Sequence, residues 1–331
     1  IMKKPQIFVT RQIPQEGLEI LKDYCQVEVS EYDGVIPRSL LLKRVKDTDG
    51  LLVLLTDKID KEVISAAGKR LRVISNYAVG YNNIDIGEAT KKGIMVTNTP
   101  GVLTETTADL AWALLMSIAR RIVEGDKFVR AGKFRGWEPM LLLGTDIYEA
   151  TLGLIGFGRI GQAMARRAKG FNLKVLYYDK NPVSPIIEKE LGVSRTGFDE
   201  ILRKSDFISI HVPLNEETFH LIGQKELSIM KKESYLINTA RGPIVDEKAL
   251  VKALKDGVIR GAALDVFENE PEIEQELMSL DNIVMVPHIG SASYQTRTKM
   301  AIIAAKNILS ALKGERPEFL VNPEVLDKKI T

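Results

Sequence analysis

Three polar residues late in the chain have types that suit acid–base chemistry on a small acid: Arg241, Glu270 and His288. A guanidinium can hold a carboxylate through two parallel hydrogen bonds and polarise a neighbouring carbonyl. A histidine exchanges a proton near neutral pH, and a carboxylate that pairs with its ring fixes the ring's orientation. Each residue alone is equally consistent with a surface ion pair or a packing histidine. The three together, all following predicted strands, favour a catalytic site.

A glycine-rich segment with the pattern G-x-G-x-x-G points to a dinucleotide. It contains Gly156, Gly158 and Gly161, and it lies between a buried apolar run at 152–155 and a helical run at 162–169. The first glycine permits a tight turn, the second lets the backbone approach a pyrophosphate, and the third lets helix and strand pack closely. Asp179 ends the next predicted strand, where a carboxylate can accept hydrogen bonds from the adenosine ribose. A packing turn with Asp179 as a cap is the alternative.

The elements that position these residues form two series of alternating strands and helices. The predicted strands are 7–10, 27–29, 51–55, 71–74 and 94–96, then 151–155, 174–178, 207–210, 234–238, 260–265 and 283–286. Such alternation gives parallel sheets with helices on both faces and right-handed crossovers. The sequence therefore predicts an α/β fold with two doubly wound parallel-sheet domains. Ligands bind at the carboxyl ends of the strands in such sheets.

The remaining elements connect the two series. A long helix is predicted over 106–131, with Asp109 three residues after a capping threonine. Residues 132–144, which include Trp137, lack periodicity and are predicted to form an ordered loop. A final helix is predicted over 293–313, and its position after the last strand suggests that the chain crosses back to the first domain.

Composition excludes several classes of protein. The net charge of +2 comes from 46 basic and 44 acidic residues, which argues against a nucleic-acid partner. The single cysteine, Cys25, excludes a disulfide framework, and with only three histidines no metal site is expected. The most apolar stretch, 110–119, is far shorter than the roughly 20 residues that span a membrane. We expect a cytoplasmic protein without a membrane partner.

Several motifs, in order along the chain, resemble the D-isomer-specific 2-hydroxyacid dehydrogenase family. They occupy residues 76–85, 96–101, 156–161, 211–214, 238–242, 265–271 and 287–291. Within the family the chain is most similar to archaeal-type glyoxylate/hydroxypyruvate reductases. Two departures stand out: Asn82 replaces the commoner acid, and 148–151 replaces the usual Gly-Lys-Thr approach to the first Rossmann strand. The second departure puts the turn at Glu149 in doubt.

The resemblance implies a role for each member of the catalytic set. Arg241 would bind the carboxylate and carbonyl of the substrate, Glu270 would pair with His288, and His288 would be the general acid/base. Glu270 rather than Glu268 matches the family glutamate because it directly precedes the proline of that motif. The backbone at Val79 and Gly80 would hold the substrate carboxylate, with Leu55 in the pocket wall.

The resemblance also implies a set of cofactor contacts beyond the glycines and Asp179. These residues are Thr107, Arg159, Ile160, Pro213, Thr218, Thr239, Ala240, Arg241, Asp265, His288 and Gly290. His211 would lie beside the cofactor without acid–base work, or would simply end a strand, and His220 is predicted on a helix surface. The implied domains are a flavodoxin-like substrate domain at 1–99, an inserted NAD-binding Rossmann domain at 100–288, and a return to the substrate domain at 289–331. A homodimer is implied, with the helix from 106 and the loop near Trp137 as the predicted contact.

The implied reaction is reduction of a small 2-oxo acid, glyoxylate or hydroxypyruvate first, by hydride transfer from NAD(P)H. Asp179 predicts a preference for NADH, because its carboxylate would face the 2′-phosphate of NADPH. D-Lactate, 3-phosphoglycerate and phosphite remain alternative family substrates. Formate dehydrogenases are disfavoured because they replace the acidic partner of the histidine. A non-catalytic NAD(H)-sensing binding protein is the alternative from another class.

Overall fold

The computed structural model describes residues 4–328 and consists of two compact units. The outer unit contains the chain up to Leu103 and again from Ser291, and the inserted unit is Thr104–Gly290. The first junction falls after residue 103 rather than 99, because Val102 and Leu103 still pack against the core of the outer unit. The second falls at Gly290 rather than at 288.

The outer unit begins with five strands and four helices in alternation. They are β1 Gln6–Val9, α1 Gln15–Tyr24, β2 Gln26–Val29, α2 Arg38–Arg44, β3 Gly50–Val53, α3 Lys61–Ala66, β4 Val73–Asn76, α4 Ile86–Lys91 and β5 Met95–Thr97. The sheet is parallel, with strand order β2-β1-β3-β4-β5. This is the flavodoxin-like order. The central strands β3 and β4 are buried at every position, as expected for a parallel sheet covered on both faces.

The inserted unit contains the second, larger sheet. Its elements are α5 Thr104–Ala119, α6 Ile122–Arg130, β6 Thr151–Ile155, α7 Arg159–Ala168, β7 Lys174–Tyr178, α8 Pro185–Leu191, β8 Val193–Arg195, α9 Phe198–Lys204, β9 Phe207–Ile210, α10 Gln224–Ile229, β10 Tyr235–Asn238, α11 Glu247–Lys255, β11 Gly261–Leu264 and β12 Ile283–Met285. The strand order is β12-β11-β10-β9-β6-β7-β8, all parallel. The order reverses beside β6, and such a switch point is where ligands bind.

The last helix, α12 Tyr294–Leu312, returns to the outer unit as predicted. It begins after Ser293, whose hydroxyl accepts from the N–H of Thr296 at 3.2 Å. The helix packs on α1 and on β3 and β4. A Cβ on Gly17 of α1 would lie 2.7 Å from the carbonyl oxygen of Ala301, so the two helices pack too closely there for any larger residue.

Several details of the helices and strands differ from the sequence predictions. The predicted helix over 106–131 is two helices, because Arg121 has a left-handed φ of 53° between α5 and α6. The first of them starts at Thr104, so the predicted cap at residue 106 was wrong. The short strand β8 was not predicted. At the unusual approach to β6, Glu149 has a left-handed φ of 63°.

Among the residues that the structure describes, no helix is both long enough and apolar enough to cross a membrane.

Candidate active site

The loop between β6 and α7 and the first turn of α7 contain three glycines whose surroundings differ. A Cβ on Gly156, which has a φ of 94°, would lie 2.6 Å from the backbone carbon of His211. A Cβ on Gly161 would lie 2.3 Å from the carbonyl oxygen of Gly156. The fold itself therefore requires glycine at both positions. A Cβ on Gly158 would meet no described atom within 4 Å, so the space beside this glycine can admit a ligand.

The same loop leads into the amino terminus of α7, which has no side-chain cap. The first N–H groups of a helix lack intrahelical acceptors and carry the positive end of the helix dipole, which suits a phosphate. Arg159 and Ile160 form the first turn, with Arg159 exposed and Ile160 packed against the core. The open space at Gly158 and the uncapped helix fit the pyrophosphate of a dinucleotide.

Asp179 lies directly after β7, beside this loop. Its Oδ2 accepts from the N–H of Phe157 at 2.7 Å, and its Oδ1 accepts from the N–H of Asn181 at 2.9 Å. A carboxylate oxygen can accept further bonds, so ribose hydroxyls remain possible partners. The neighbouring Lys180 is ion-paired with Glu217. The charges beside Asp179 are therefore its own carboxylate and the guanidinium of Arg195, which donates to the backbone oxygen of Asp179 at 3.1 Å.

Arg241 follows β10, and Asn238 fixes the turn that carries it. Asn238 Nδ2 donates to the carbonyl oxygen of Arg241 at 2.9 Å, and its Oδ1 accepts from the N–H of Ala240 at 3.0 Å. Arg241 Nη1 donates to the carbonyl oxygen of Ala240 at 2.7 Å. Burial lowers the pKa of Arg241, while the negative charge of Glu270 opposes that change. The other guanidinium donors have no acceptor within residues 4–328, so a substrate carboxylate can take them.

His288 and Glu270 form a hydrogen-bonded pair. His288 Nδ1 lies 2.8 Å from Glu270 Oε2, and Glu270 Oε1 accepts from the N–H of Phe267 at 3.0 Å. Burial acts to raise the pKa of Glu270, but the hydrogen bond and charge of His288, together with the Phe267 N–H and the charge of Arg241, hold that pKa below its usual value. His288 Nε2 has no hydrogen-bond partner in the described part of the chain. This nitrogen is available to exchange a proton with a substrate.

Asp265, at the end of β11, fixes the segment that carries the histidine. Its carboxylate accepts from the N–H of Ile289 at 2.6 Å and from the N–H of Gly290 at 2.8 Å, and its carbonyl oxygen accepts from the N–H of His288 at 2.8 Å. Burial raises the pKa of Asp265 to about 6, although the two N–H bonds oppose that rise. Thr107 is buried, and its Cγ2 would lie 3.5 Å from a Cβ on Gly290.

Other predicted cofactor contacts have partners within the fold. Thr218 Oγ1 donates to the carbonyl oxygen of Pro213 at 2.6 Å and accepts from the N–H of Asn215 at 2.8 Å, so this hydroxyl closes a turn. Thr239 differs, because its buried Oγ1 has no hydrogen-bond partner among the described residues. A buried hydroxyl without a partner is costly, which favours a ligand at Thr239.

The predicted substrate residues of the outer unit follow two neighbouring strands. Leu55 lies in the turn after β3, and Val79 and Gly80 lie in the loop after β4. All three are partly exposed. The carboxyl ends of these strands are where a flavodoxin-like sheet binds ligands.

The two remaining histidines have structural partners. His211 ends β9, its Nε2 lies 2.9 Å from Ser209 Oγ, and burial lowers its pKa to about 3, so the ring is neutral near pH 7. His220 was predicted on a helix surface, but it lies in a turn and has a φ of 49°. Its Nε2 lies 2.8 Å from Glu268 Oε1. The prediction missed this pair because the two residues are 48 positions apart.

Sequence reasoning also missed Asn238 and Arg195. Asn238 carried a signal, because an amide at a strand end three residues before Arg241 can bridge the turn between them. Arg195 donates to the backbone oxygen of Asp179 at 3.1 Å, a contact between two strands that local sequence does not show. Within residues 4–328, no cluster of histidine, cysteine and acidic side chains has the arrangement of a metal site.

Comparison with known proteins places this geometry in context. Residues 112–290 match the family model of the D-isomer specific 2-hydroxyacid dehydrogenase NAD binding domain. The chain is 53% identical over 327 residues to a glyoxylate reductase of Thermococcus litoralis, and the match covers 98% of both chains.

Two solved structures are similar over nearly the whole chain. A glyoxylate reductase from Paecilomyes thermophila has a TM-score of 0.86 and 33% identity, covering 98% of this chain and 99% of that one. An NADPH-dependent glyoxylate/hydroxypyruvate reductase from Sinorhizobium meliloti, in complex with NADP and malonate, has a TM-score of 0.85 and 32% identity, covering 98% of each chain.

Proposed function

The chain belongs to the D-isomer specific 2-hydroxyacid dehydrogenase family, and on that premise we propose that it reduces glyoxylate and hydroxypyruvate with NADH. The enzyme class and the use of a nicotinamide dinucleotide follow from the family. The observation that supports the reaction best is the His288–Glu270 pair, which leaves Nε2 free and lies within the electrostatic reach of Arg241.

Three residues of the inserted unit have separate roles in the reaction. When bound, the nicotinamide supplies the hydride that reduces the carbonyl carbon. Arg241 binds the substrate carboxylate and carbonyl through its free guanidinium donors, and polarises the carbonyl. Protonated His288 delivers its Nε2 proton to the carbonyl oxygen, so that hydride and proton together give the 2-hydroxy acid. Glu270 holds the ring at Nδ1 and stabilises its positive charge.

The test is the loss of NADH absorbance when glyoxylate or hydroxypyruvate is added, with pyruvate as a third 2-oxo acid and phosphite with NAD as a separate reaction. We expect turnover with the first two, and turnover slower by about 10²–10⁴-fold with His288→Gln. If pyruvate or phosphite were turned over faster than glyoxylate and hydroxypyruvate, that compound would replace them as the proposed substrate. Tight NADH binding without turnover of any member of the panel would instead support an NAD(H)-sensing protein.

The preference for NADH is the second part of the proposal, and the charges around Asp179 support it. The 2′-phosphate of NADPH would face this carboxylate, and Glu217 already engages the adjacent cation, Lys180. Juxtaposing like charges in a binding site costs several kcal/mol in round terms. We therefore expect kcat/KM to favour NADH by at least about 10-fold.

The cofactor experiment compares kcat/KM for NADH and NADPH in three proteins. Asp179→Ser should narrow the gap, and Glu217→Gln should narrow it less, because it only releases Lys180. Equal or better activity of the unmutated enzyme with NADPH would contradict the role of Asp179. Arg195, which already contacts the backbone of Asp179, would then be the residue that sets the specificity.

A homodimer is the third part of the proposal. Five large apolar side chains of α6 and of the loop after it are more than half exposed, and the most exposed of the five is Trp137 at 84%. The others are Ile122, Val129, Phe134 and Met140. Apolar surface of this kind is typical of protein–protein contacts, and a second copy would bury it. Sedimentation should give a dimer for the unmutated chain and a monomer for Trp137→Ser with Phe134→Ser, whereas a monomer for both would exclude this contact.

A further inference from the structure

The loop after β4 is held by the side chains of two asparagines. Asn98 Nδ2 donates to the carbonyl oxygen of Val79 at 2.8 Å, and Asn76 Nδ2 donates to the carbonyl oxygen of Gly80 at 2.7 Å. Both bonds run from amide side chains to successive carbonyls of one loop. A third carbonyl of the loop is also held, because the backbone N–H of Thr99 donates to the carbonyl oxygen of Ala78 at 2.9 Å.

Fixing a carbonyl also fixes the N–H of the same peptide group. In a trans peptide the N–H points opposite to the carbonyl oxygen of the preceding residue, and these peptides are trans. The carbonyl of Val79 therefore sets the direction of the Gly80 N–H, and that of Gly80 sets the Tyr81 N–H. None of the N–H groups of Val79, Gly80 and Tyr81 donates to an acceptor in the described chain. The loop thus offers three consecutive N–H groups without an acceptor, and each belongs to a peptide group whose carbonyl is held.

One of the asparagines that hold the loop, Asn76, is itself fixed. Asn76 and Asn83 form an amide pair, with Asn76 Nδ2 3.1 Å from Asn83 Oδ1. Asn83 Nδ2 also donates to the carbonyl oxygens of Leu54 at 3.0 Å and Asp57 at 3.1 Å. A neutral amide suits this place, because it donates to carbonyls without placing a negative charge near an anion.

Resting on the proposed function, we propose that Asn98 and Asn76 are positioning residues for the substrate carboxylate. Asn98 aims the Gly80 N–H, and Asn76 adds the Tyr81 N–H as a donor that the family resemblance did not assign. Successive backbone N–H groups in a turn can form a concavity that binds anions. The ligand class is any small 2-oxo acid, because the contact uses only its carboxylate.

The first experiment compares Asn98→Ala and Asn98→Asp with the matched control Asn322→Ala. Asn322 is a buried amide of the same unit that donates to the Ile94 carbonyl at 2.9 Å, away from the loop. A carboxylate contact is equal in the ground and transition states, so we expect KM for glyoxylate to rise about 10-fold in Asn98→Ala with kcat within about threefold. Asn98→Asp should raise KM about 100-fold, because it adds a like charge beside the anion.

The pH dependence of Asn98→Asp separates positioning from mere support of the fold. Once the new carboxyl group is protonated, it is neutral and can again donate a hydrogen bond. The ratio of the variant's KM to the wild-type KM should therefore fall as the pH is lowered toward about 5. A structural defect alone would give a ratio that does not change with pH. Asn322→Ala should lower Tm while leaving KM and the Kd of NADH unchanged.

A turnover-free readout keeps this inference separate from the proposed reaction. Oxalate carries the same carboxylate, and its binding to the enzyme–NADH complex can be followed by NADH fluorescence. Weaker oxalate binding in both Asn98 variants, with normal NADH binding, supports the positioning role. Unchanged oxalate binding, or a KM within about twofold of wild type, would overturn it. Failure of the wild type to reduce glyoxylate would refute the proposed substrate, while the oxalate measurement would still decide the role of Asn98.

Discussion

Two histidine–glutamate pairs lie in the inserted unit, and their glutamates are two positions apart. His288–Glu270 and His220–Glu268 both have nitrogen–oxygen distances of 2.8 Å. Both histidines have left-handed backbones, with φ of 52° and 49°. Their side chains are also similarly exposed, at 25% and 33%. Distance, exposure and backbone conformation therefore do not distinguish one pair from the other.

What differs is which nitrogen is used and what charge lies nearby. The first pair uses Nδ1 of His288 and leaves Nε2 free, whereas the second uses Nε2 of His220, whose ring also stacks on Phe219 at 4.0 Å between centroids. The positive charge of Arg241 helps to lower the pKa of Glu270. Glu268 instead accepts a hydrogen bond from the backbone N–H of Glu247. A free distal nitrogen and a nearby cation, rather than the pair itself, thus indicate acid–base chemistry.

The largest expected difference between the pairs is in turnover. His288→Gln should reduce kcat by about 10²–10⁴-fold, because the proton donor is lost, while the matched variant His220→Gln should stay within about twofold. Steady-state rates with glyoxylate measure both, and NADH titration serves as the control for folding. Near-normal turnover of His288→Gln would remove the distinction between the pairs.

The Arg241→Lys variant tests the role of the cation near the His288–Glu270 pair. An ammonium cannot make the planar two-point contact of a guanidinium, so kcat/KM should fall about 100-fold, with a higher KM and a lower kcat. Initial rates over a range of glyoxylate concentrations separate the two parameters. Wild-type kinetics would mean that Arg241 forms only an ion pair with its surroundings.

Glu270→Gln and Glu268→Gln compare the two carboxylates directly. Reduction consumes the proton that His288 Nε2 delivers, so kcat/KM should fall at alkaline pH. Without the carboxylate the imidazolium is less stable, and the alkaline limb of the profile should move to lower pH, with kcat lower by about 10-fold. Glu268→Gln should leave the profile in place. An identical profile in all three proteins would separate Glu270 from the proton transfer.

The smallest expected effect is on stability, and it belongs to the second pair. His220→Gln removes a partly buried hydrogen bond worth about 1 kcal/mol, so Tm should fall by about 2–4 °C. Differential scanning calorimetry checks this value. A much lower rate together with an unchanged Tm would mean that the second pair takes part in the reaction.

Local patterns predicted the features that depend on neighbours in sequence. The strand, glycine loop and helix over 151–169 and the strand ends before Arg241 and His288 were found because each pattern is complete within a few residues. Both parallel sheets were predicted from the alternation of strands and helices, and both are confirmed.

The features that the sequence did not predict depend on tertiary structure, which local patterns do not contain. The break at Arg121 was missed because arginine is a good helix former, and only the tertiary structure imposes its left-handed φ. Strand β8 has three residues, two of them exposed, so it lacks the buried run that identifies a strand. The partners of His220 and of the Val79 carbonyl lie 48 and 19 positions away, beyond any local pattern.

The return of α12 to the outer unit sets an order for folding during synthesis. The apolar face of α1, β3 and β4 is covered by a helix that a ribosome makes only after the 187 residues of Thr104–Gly290. At roughly 5–20 residues per second, that face waits for on the order of ten seconds or more. The inserted unit is continuous in sequence and can fold as it emerges. The amino-terminal third of the chain, although made first, is therefore completed last, and its uncovered sheet is where a nascent chain most needs protection from aggregation.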